Sequence, residues 1–453
     1  MSGLIEKAFQ RLDKQLSGQL SLPGDERYLA ATAIWAKPVD RIPRAVAHCR
    51  TTSDVQASIR AARDCNLPLS VRGGGHDWAG RSLCNGIVID LSAMNGAVIG
   101  PDNRVARIQG GARAADVIAL TDPLKVAPVL GAASMVGVAG LTLGGGYGPL
   151  IGRCGLALDN LLAAEVVLAD GRTIVANADD EADLFWALRG GGGNFGVVTT
   201  LRHRLHDLPS VHSGLLIFPF AEAKSVLESC VDLAAAMPEE LTVQVGFIAG
   251  PDGAPVVFVL PTWCGRAAEG EAWVAPFAKA GTLLAGAVGK QSYGDLLRVF
   301  DPYIVNGLRV AMETSSLPAL DSHGIDILIR AMEAAASPGC AIVTHEFKGA
   351  ASRVATDATA FGLRRDHVLV EIIAVFPDRS DKLDALRHQQ WARATREALG
   401  EIALPGGYPN LLAAEDTGRA TQSFGINAKR LIAVKRQYDP DNVFRSAIPL
   451  PAG

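Results

Sequence analysis

The sequence predicts an α+β protein with more than one domain, and three observations predict it. The chain has 453 residues, more than a single hydrophobic core usually organises. Residues 43–205 alternate β-branched runs with short helical patterns. From about residue 206 longer helical stretches alternate with apolar runs of strand length, which reads as a sheet covered by helices.

The elements follow in order. "TSDVQASIRAARDC" reads as a helix opened by a Ser/Asp cap. "LPLSVRG" is a short β run into a glycine loop, and "GIVIDLSAM" and "RVARIQGGA" are strands by their β-branched content. "AADVIALTDPL" is helical. "AAEVVLADGRTIVANA" is a hairpin about Asp170-Gly171. "DDEADLFWALRG" is a helix with an acidic first turn and a glycine stop, and "NFGVVTTLRHRLHDL" is a strand leading out. In the second part "EAKSVLESCVDLAAAM", "GIDILIRAMEAAA" and "SDKLDALRHQQWARATREALG" are helices, and "TVQVGFIAG", "PVVFVLPTW", "CAIVTHEFKG" and "HVLVEIIAVFPD" are strands. The terminal "AKRLIAVKRQYDPDNVF" is a basic helix closed by a Pro-Asp turn.

Composition narrows the function classes. A net charge of −4 gives no basic patch for nucleic acid or a membrane surface. The first twenty residues are amphipathic and charged, without the apolar core of a signal peptide. Seven dispersed cysteines with no CxxC pair suggest reduced thiols, hence a cytoplasmic protein. The expected partner is a small molecule, and the chain is expected to be a monomer or a homodimer.

Three glycine loops stand out: "RGGGHDWAG" (72–80), "LGGGYG" (143–148) and "RGGGGNFG" (189–196). The third contains a formal G-x-G-x-x-G, but a helix precedes it and a strand follows. A dinucleotide-binding Rossmann site needs the reverse order. An NAD-linked dehydrogenase is therefore the weaker reading. None of the loops has the Lys-Ser/Thr of a P-loop. Glycine loops clustered in one α/β region point to a bound polyanion, because exposed backbone N–H groups hold phosphate oxygens. His76 ends the first loop. An imidazole there satisfies a loop carbonyl, or it serves as a nucleophile toward a cofactor; no neighbouring His or Cys has metal-ligand spacing, and no metal is expected.

The run "PLSVRGGGHDWAG … GIVIDLSAMN … LTLGGGYGPLIGRCGLALDNLLAAEVVLADGR … DLFWALRGGGGNFGVVT … KRQYDPDNVF" resembles the berberine bridge enzyme-like FAD-linked oxidases of the vanillyl-alcohol oxidase group. The resemblance spans nearly the whole chain. It implies a PCMH-type FAD-binding domain (1–206, two α/β subdomains), a substrate domain (207–406) and a C-terminal segment returning to the FAD domain (407–453). His76 matches the histidine that bonds to the flavin 8α-methyl group. Arg72, Gly73, Gly74, Gly75, Asp77 and Gly80 would form the pyrophosphate loop. Gly137, Val138, Gly140, Gly144, Gly145, Gly146, Asp159, Asn160 and Val197 would line the rest of the FAD site, with Asn442 and Phe444 reaching it from the C-terminus. Many members carry a second, cysteinyl tether; here Ala133 stands at that position and Leu141 replaces a family histidine, so a single link is expected. Val138 is expected beside the flavin C4a, where its size suits access of O2.

Oxidation at a C–O or C–N carbon needs a proton acceptor beside the flavin. Glu371 interrupts an otherwise apolar run, 368–376, so it is expected in a strand buried on both faces. Burial there should raise its pKa. The resemblance also puts an active-site Gln or Glu at this position. Glu346 is a second candidate, sharing a strand face with Thr344 and opposite to His345. Tyr408, with Asn410, matches a "YxN" segment near the flavin. His345 and Tyr147 read as structural. Trp263, Arg309 and Met312 are candidate pocket walls. Together these imply an FAD-dependent oxidase of a small alcohol or amine, of alkaloid or sugar type, with O2 giving H2O2. A dehydrogenase using another acceptor and a flavin-binding protein without turnover are the alternatives.

Overall fold

The computed structural model describes residues 2–38, 40–236, 238–413 and 415–451. The first part holds two small sheets. Strands Ala45–His48, Ile87–Asp90 and Leu69–Arg72 run parallel, with Gln19–Ser21 antiparallel at one edge. Helix Thr52–Asp64 packs on this sheet. Its capping box is set by Thr51 and Asp54, so the cap lies two residues before Ser53 of the Ser/Asp cap expected from sequence, because Thr51 takes the extended cap conformation. The second sheet is antiparallel, in the order Ala97–Ile99, Val105–Gln109, Val197–Arg204, Leu161–Val167, Thr173–Asn177. The last two strands form the hairpin about Asp170-Gly171.

The second part is one eight-stranded antiparallel sheet. Strands Leu241–Ala249, Cys340–Phe347, His367–Phe376 and Arg309–Leu317 lie side by side in that order. Alternation divides each of them between two environments. Ile342, Val370, Ile372 and Ala374 pack with Leu227, Leu328 and Ala392 of the covering helices Ala223–Ala235, Ser322–Glu333 and Lys382–Leu399. The residues between them face the first part of the chain. The strand Arg309–Leu317 escapes sequence reading because "METSS" breaks any apolar or alternating run. Helix Ala428–Tyr438 returns to pack on helix Ala182–Gly191, where Leu431 joins the core of the first part. No helix among the described residues is long and apolar enough to cross a membrane.

Burial of polar groups gives one testable consequence. His203 and His367 are buried, and desolvation lowers each to a pKa of about 4. An unfolded histidine titrates near 6.5. Between these values the unfolded chain binds protons that the folded chain does not. Stability therefore falls as pH drops through that window, by up to about 1.4 kcal/mol per pH unit for each histidine. Thermal unfolding at pH 7 and pH 5 checks this: Tm is lower at pH 5, and an equal Tm contradicts the assignment.

Candidate active site

The site begins where strand Leu69–Arg72 runs into its glycine loop. Arg72 is buried beneath the loop, and its Nη1 donates to Asp90 Oδ1 at 2.8 Å. Gly75 and Gly80 take positive φ, +74° and +67°, a conformation side chains rarely adopt. Gly74 and Gly137 cross backbone on backbone: a Cβ on Gly74 would stand 2.5 Å from the Gly137 Cα. Among the described residues the N–H groups of Gly73 to Asp77 donate to no protein acceptor. The loop is therefore an open array of donors, which suits phosphate oxygens.

Two cavities meet along this loop. The larger, about 650 Å³, is lined by Gly73, Gly74, Gly75, His76, Gly137, Gly140, Tyr147, His345, Glu371, Tyr408 and apolar side chains of the large sheet. The smaller, about 160 Å³, is lined by Gly192, Gly193, Gly196, Val197 and Phe444. Both share Gly73, Asp77, Arg81, Ser82, Gly140 and Asn410. A Cβ at Gly140 or Gly193 would meet nothing within 4 Å, so these glycines border open space. An elongated cofactor with a ring at one end and a phosphate-linked tail fits residues arranged this way.

The chemistry gathers on the sheet face that meets the loop. Tyr147 Oη donates to Glu371 Oε1. His345 Nε2 lies 3.5 Å from Glu371 Oε2, and Gln244 Nε2 donates to His345 Nδ1 at 3.0 Å. Register explains the cluster. His345 stands opposite Leu369, two residues from Glu371 on the same face, so the two side chains meet diagonally. Tyr147 packs edge-on against His345 and Tyr408, with centroids 4.6 and 4.8 Å apart. Tyr408 Oη accepts from Gly146 N at 2.5 Å, and Asn410 Nδ2 donates to Gly140 O and Leu141 O. Burial, with the Glu371 charge beside it, keeps the Tyr147 phenol protonated far above its usual range.

Several expectations are corrected. Glu371 does not have a raised pKa: burial pushes it up, but His345 and the Tyr147 hydroxyl more than reverse this, and it falls below the usual carboxylate range. Glu346 turns to the opposite face, where it accepts from Val243 N and pairs with Lys348 at 3.3 Å. It does not join the cluster. Tyr147 and His345, read as structural, are central to it. Val138 opens helix Val138–Gly144 and points into the core, fully buried; Val136, two residues earlier, is in the cavity wall. Asp159 grips the buried Arg364 guanidinium at 2.8 and 2.9 Å, and Asn160 bonds to Cys154 O, Leu156 O and His206. Neither lines either of these two cavities. Gly144 and Gly145 serve the site indirectly, leaving room for Asn410 and Tyr408. Gly80 packs on Pro38, and Arg72 and Asn442 lie outside both cavity walls. Met312 lines the larger cavity. Trp263 instead packs in the helix-covered core, and Arg309 stacks over Phe376. Arg81 and Trp35, both in the cavity wall, were missed: the first pairs with Asp77, and the second stacks on His76.

Comparison with known proteins agrees with this geometry. Residues 43–177 match the family described as FAD binding domain, and residues 407–451 the family described as berberine and berberine like. An uncharacterized FAD-linked oxidoreductase of Bacillus subtilis is 30% identical over 447 residues, covering 96% of this chain and 98% of that protein. The (R)-6-hydroxynicotine oxidase of Paenarthrobacter nicotinovorans is 29% identical, covering 95% and 96%. The crystal structure of 6-hydroxy-D-nicotine oxidase from Arthrobacter nicotinovorans superposes with a TM-score of 0.86 at 27% identity, covering 95% and 97%.

Proposed function

The chain belongs to the berberine bridge enzyme-like FAD-linked oxidoreductases, and on that premise we propose that it oxidises a small, largely apolar amine or alcohol, using FAD joined to His76. Bound FAD supplies the hydride acceptor, and dioxygen is the proposed electron acceptor, giving hydrogen peroxide. The residues do the rest. The N–H groups of 73–77 hold the pyrophosphate. Desolvation lowers His76 to a pKa of about 4, so its imidazole is neutral and has a free lone pair near neutral pH. Ala133 lines the same cavity and offers no second tether.

The observation that carries the reading is the opening of His76 and the Tyr147–Glu371 pair into one cavity. Glu371 is ionised and Tyr147 is its proton donor. As hydride leaves the substrate carbon, the substrate O–H or N–H proton passes to Tyr147 Oη while the Tyr147 proton moves to Glu371 Oε1. His345 holds the other carboxylate oxygen. The cavity walls support the substrate class. Phe300, Ile304, Leu308, Met312, Ile373 and Phe376 are apolar, and Arg81, the one arginine or lysine among the described lining residues, is held by Asp77. Such walls suit a ring-bearing amine better than a carboxylate, a phosphate or a polyhydroxylated sugar. The nicotine oxidase relative supports an amine in particular.

Acid precipitation of the purified protein tests the proposal. The flavin is expected in the pellet, on a peptide containing His76, and His76→Ala is expected to release it to the supernatant. Flavin that stays in the wild-type supernatant rejects the histidyl link. Peroxide release on screening amines and alcohols then tests the oxidase reading.

A further inference from the structure

Of the two histidines that line the larger cavity, His345 is held by hydrogen bonding and His76 by stacking. Among the described residues neither ring nitrogen of His76 makes a hydrogen bond to protein, as is also true of the buried His212 and the exposed His323, whereas His48, His203, His206, His345, His367 and His388 are all fixed by a bonded ring nitrogen. Its ring is instead covered by Trp35: the centroids lie 4.4 Å apart and the planes 11° from parallel. Trp35 is 9% exposed. Its own backbone is fixed to the loop, with Trp35 N donating to Gly75 O at 2.9 Å. On either side of it, Ile34 O accepts from Gly307 N and Lys37 N donates to Leu308 O, at 2.9 and 2.8 Å. The indole is thus a plane laid against a ring that, among the described residues, no hydrogen bond orients.

We infer that Trp35 is a positioning residue for cofactor attachment, its indole face setting the plane of the His76 imidazole while leaving both ring nitrogens free for the flavin. The inference rests on the histidyl link proposed above. Attachment joins an imidazole nitrogen to the flavin 8α-methyl carbon. The imidazole N–H and one methyl C–H are lost, and their two protons and two electrons pass through the isoalloxazine to dioxygen, giving hydrogen peroxide. A hydrogen bond to one nitrogen would set the ring plane equally well, but it would occupy an atom that could otherwise react. Stacking avoids that conflict.

The test compares Trp35→Leu and Trp35→Phe with wild type, each purified with bound flavin and incubated in air. Total flavin per chain is read from absorbance, and the linked fraction from acid precipitation over time. Leu fills much of the space without a flat face, and Phe keeps the face. The expected result is linkage slowed about 10²-fold in Trp35→Leu, the loss associated with misplacing a reacting group by about 1 Å, with total flavin unchanged and with near wild-type linkage in Trp35→Phe. Equal linkage rates in Trp35→Leu and wild type overturn the inference while leaving the histidyl link intact. Loss of total flavin in Trp35→Leu also overturns it, because the residue then serves binding rather than attachment. Unlinked flavin in wild type overturns the histidyl reading itself, and this inference with it.

Discussion

Glu371→Gln lowers the rate of flavin reduction by substrate about 10²–10⁴-fold, the range spanned by a positioned proton acceptor. Flavin content should remain at the wild-type level. The substitution keeps the shape of the side chain and its contacts with Tyr147 and His345 but removes the charge that takes the proton. Tyr147→Phe is expected to fall in the same range, because it breaks the route between substrate and carboxylate. The double variant should be scarcely slower than either single one, since the two residues act as one unit. Stopped-flow bleaching of the flavin under anaerobic conditions measures all three. A Glu371→Gln rate within a few-fold of wild type would falsify the proton route. The pH dependence carries a sign. Glu371 must be ionised, and its pKa lies below the usual carboxylate range. The wild-type rate should therefore hold through mildly acidic pH and fall only below that range. His345→Ala removes one cause of the lowering, so the fall should move to higher pH.

Much of this site was legible in the sequence, and its gaps have physical causes. The loop at 73–77 was readable because three adjacent glycines and a histidine serve no purpose in a strand or helix. Glu371 was readable because a lone carboxylate in an apolar strand demands partners. The partners were not. Tyr147 lies 224 residues away in the chain, and no local pattern reports such a contact. Alternation correctly put His345 and Glu346 on opposite faces, but it says nothing about which face meets the cofactor domain. The structure decides this through register: odd-numbered residues from 341 to 345 line the cavity, and Glu346 goes to the helices. The pKa of Glu371 was misjudged for the same reason, since desolvation can be read from sequence and compensating neighbours cannot. Val138 was misplaced because Gly137 ends one extended segment and caps a helix, so the next side chain swings into the core.

Asp159 gives the largest expected effect on stability, and it turns on what the residue is for. The resemblance assigned it to the cofactor. In the fold it forms a two-point ion pair with Arg364, whose side chain has no exposed surface. Arg364 Nη1 also donates to Ala351 O and its Nη2 to Thr359 Oγ1, tying the 350–364 segment of the second part to the turn after Gly155 in the first. Asp159→Ala leaves a buried guanidinium without its counter-charge, a change that costs about 3–5 kcal/mol. Removing both charges together, as Asp159→Leu with Arg364→Met, should recover most of that loss, because the desolvation penalty of each ion disappears with the pair. Denaturant unfolding of the two single variants and the double variant measures the coupling. A cofactor ligand behaves otherwise: its loss would weaken flavin retention without unfolding the chain, and the double variant would recover nothing. If Asp159→Ala keeps its denaturation midpoint and sheds its flavin, the clamp is the wrong reading and the family assignment returns. The turn 157–160 is held by side-chain bonds at both Asp159 and Asn160, which is why two residues outside the walls of both cavities still sit in a recognisable motif. They shape the backbone that places Gly146, and through its N–H the hydroxyl of Tyr408 beside Tyr147.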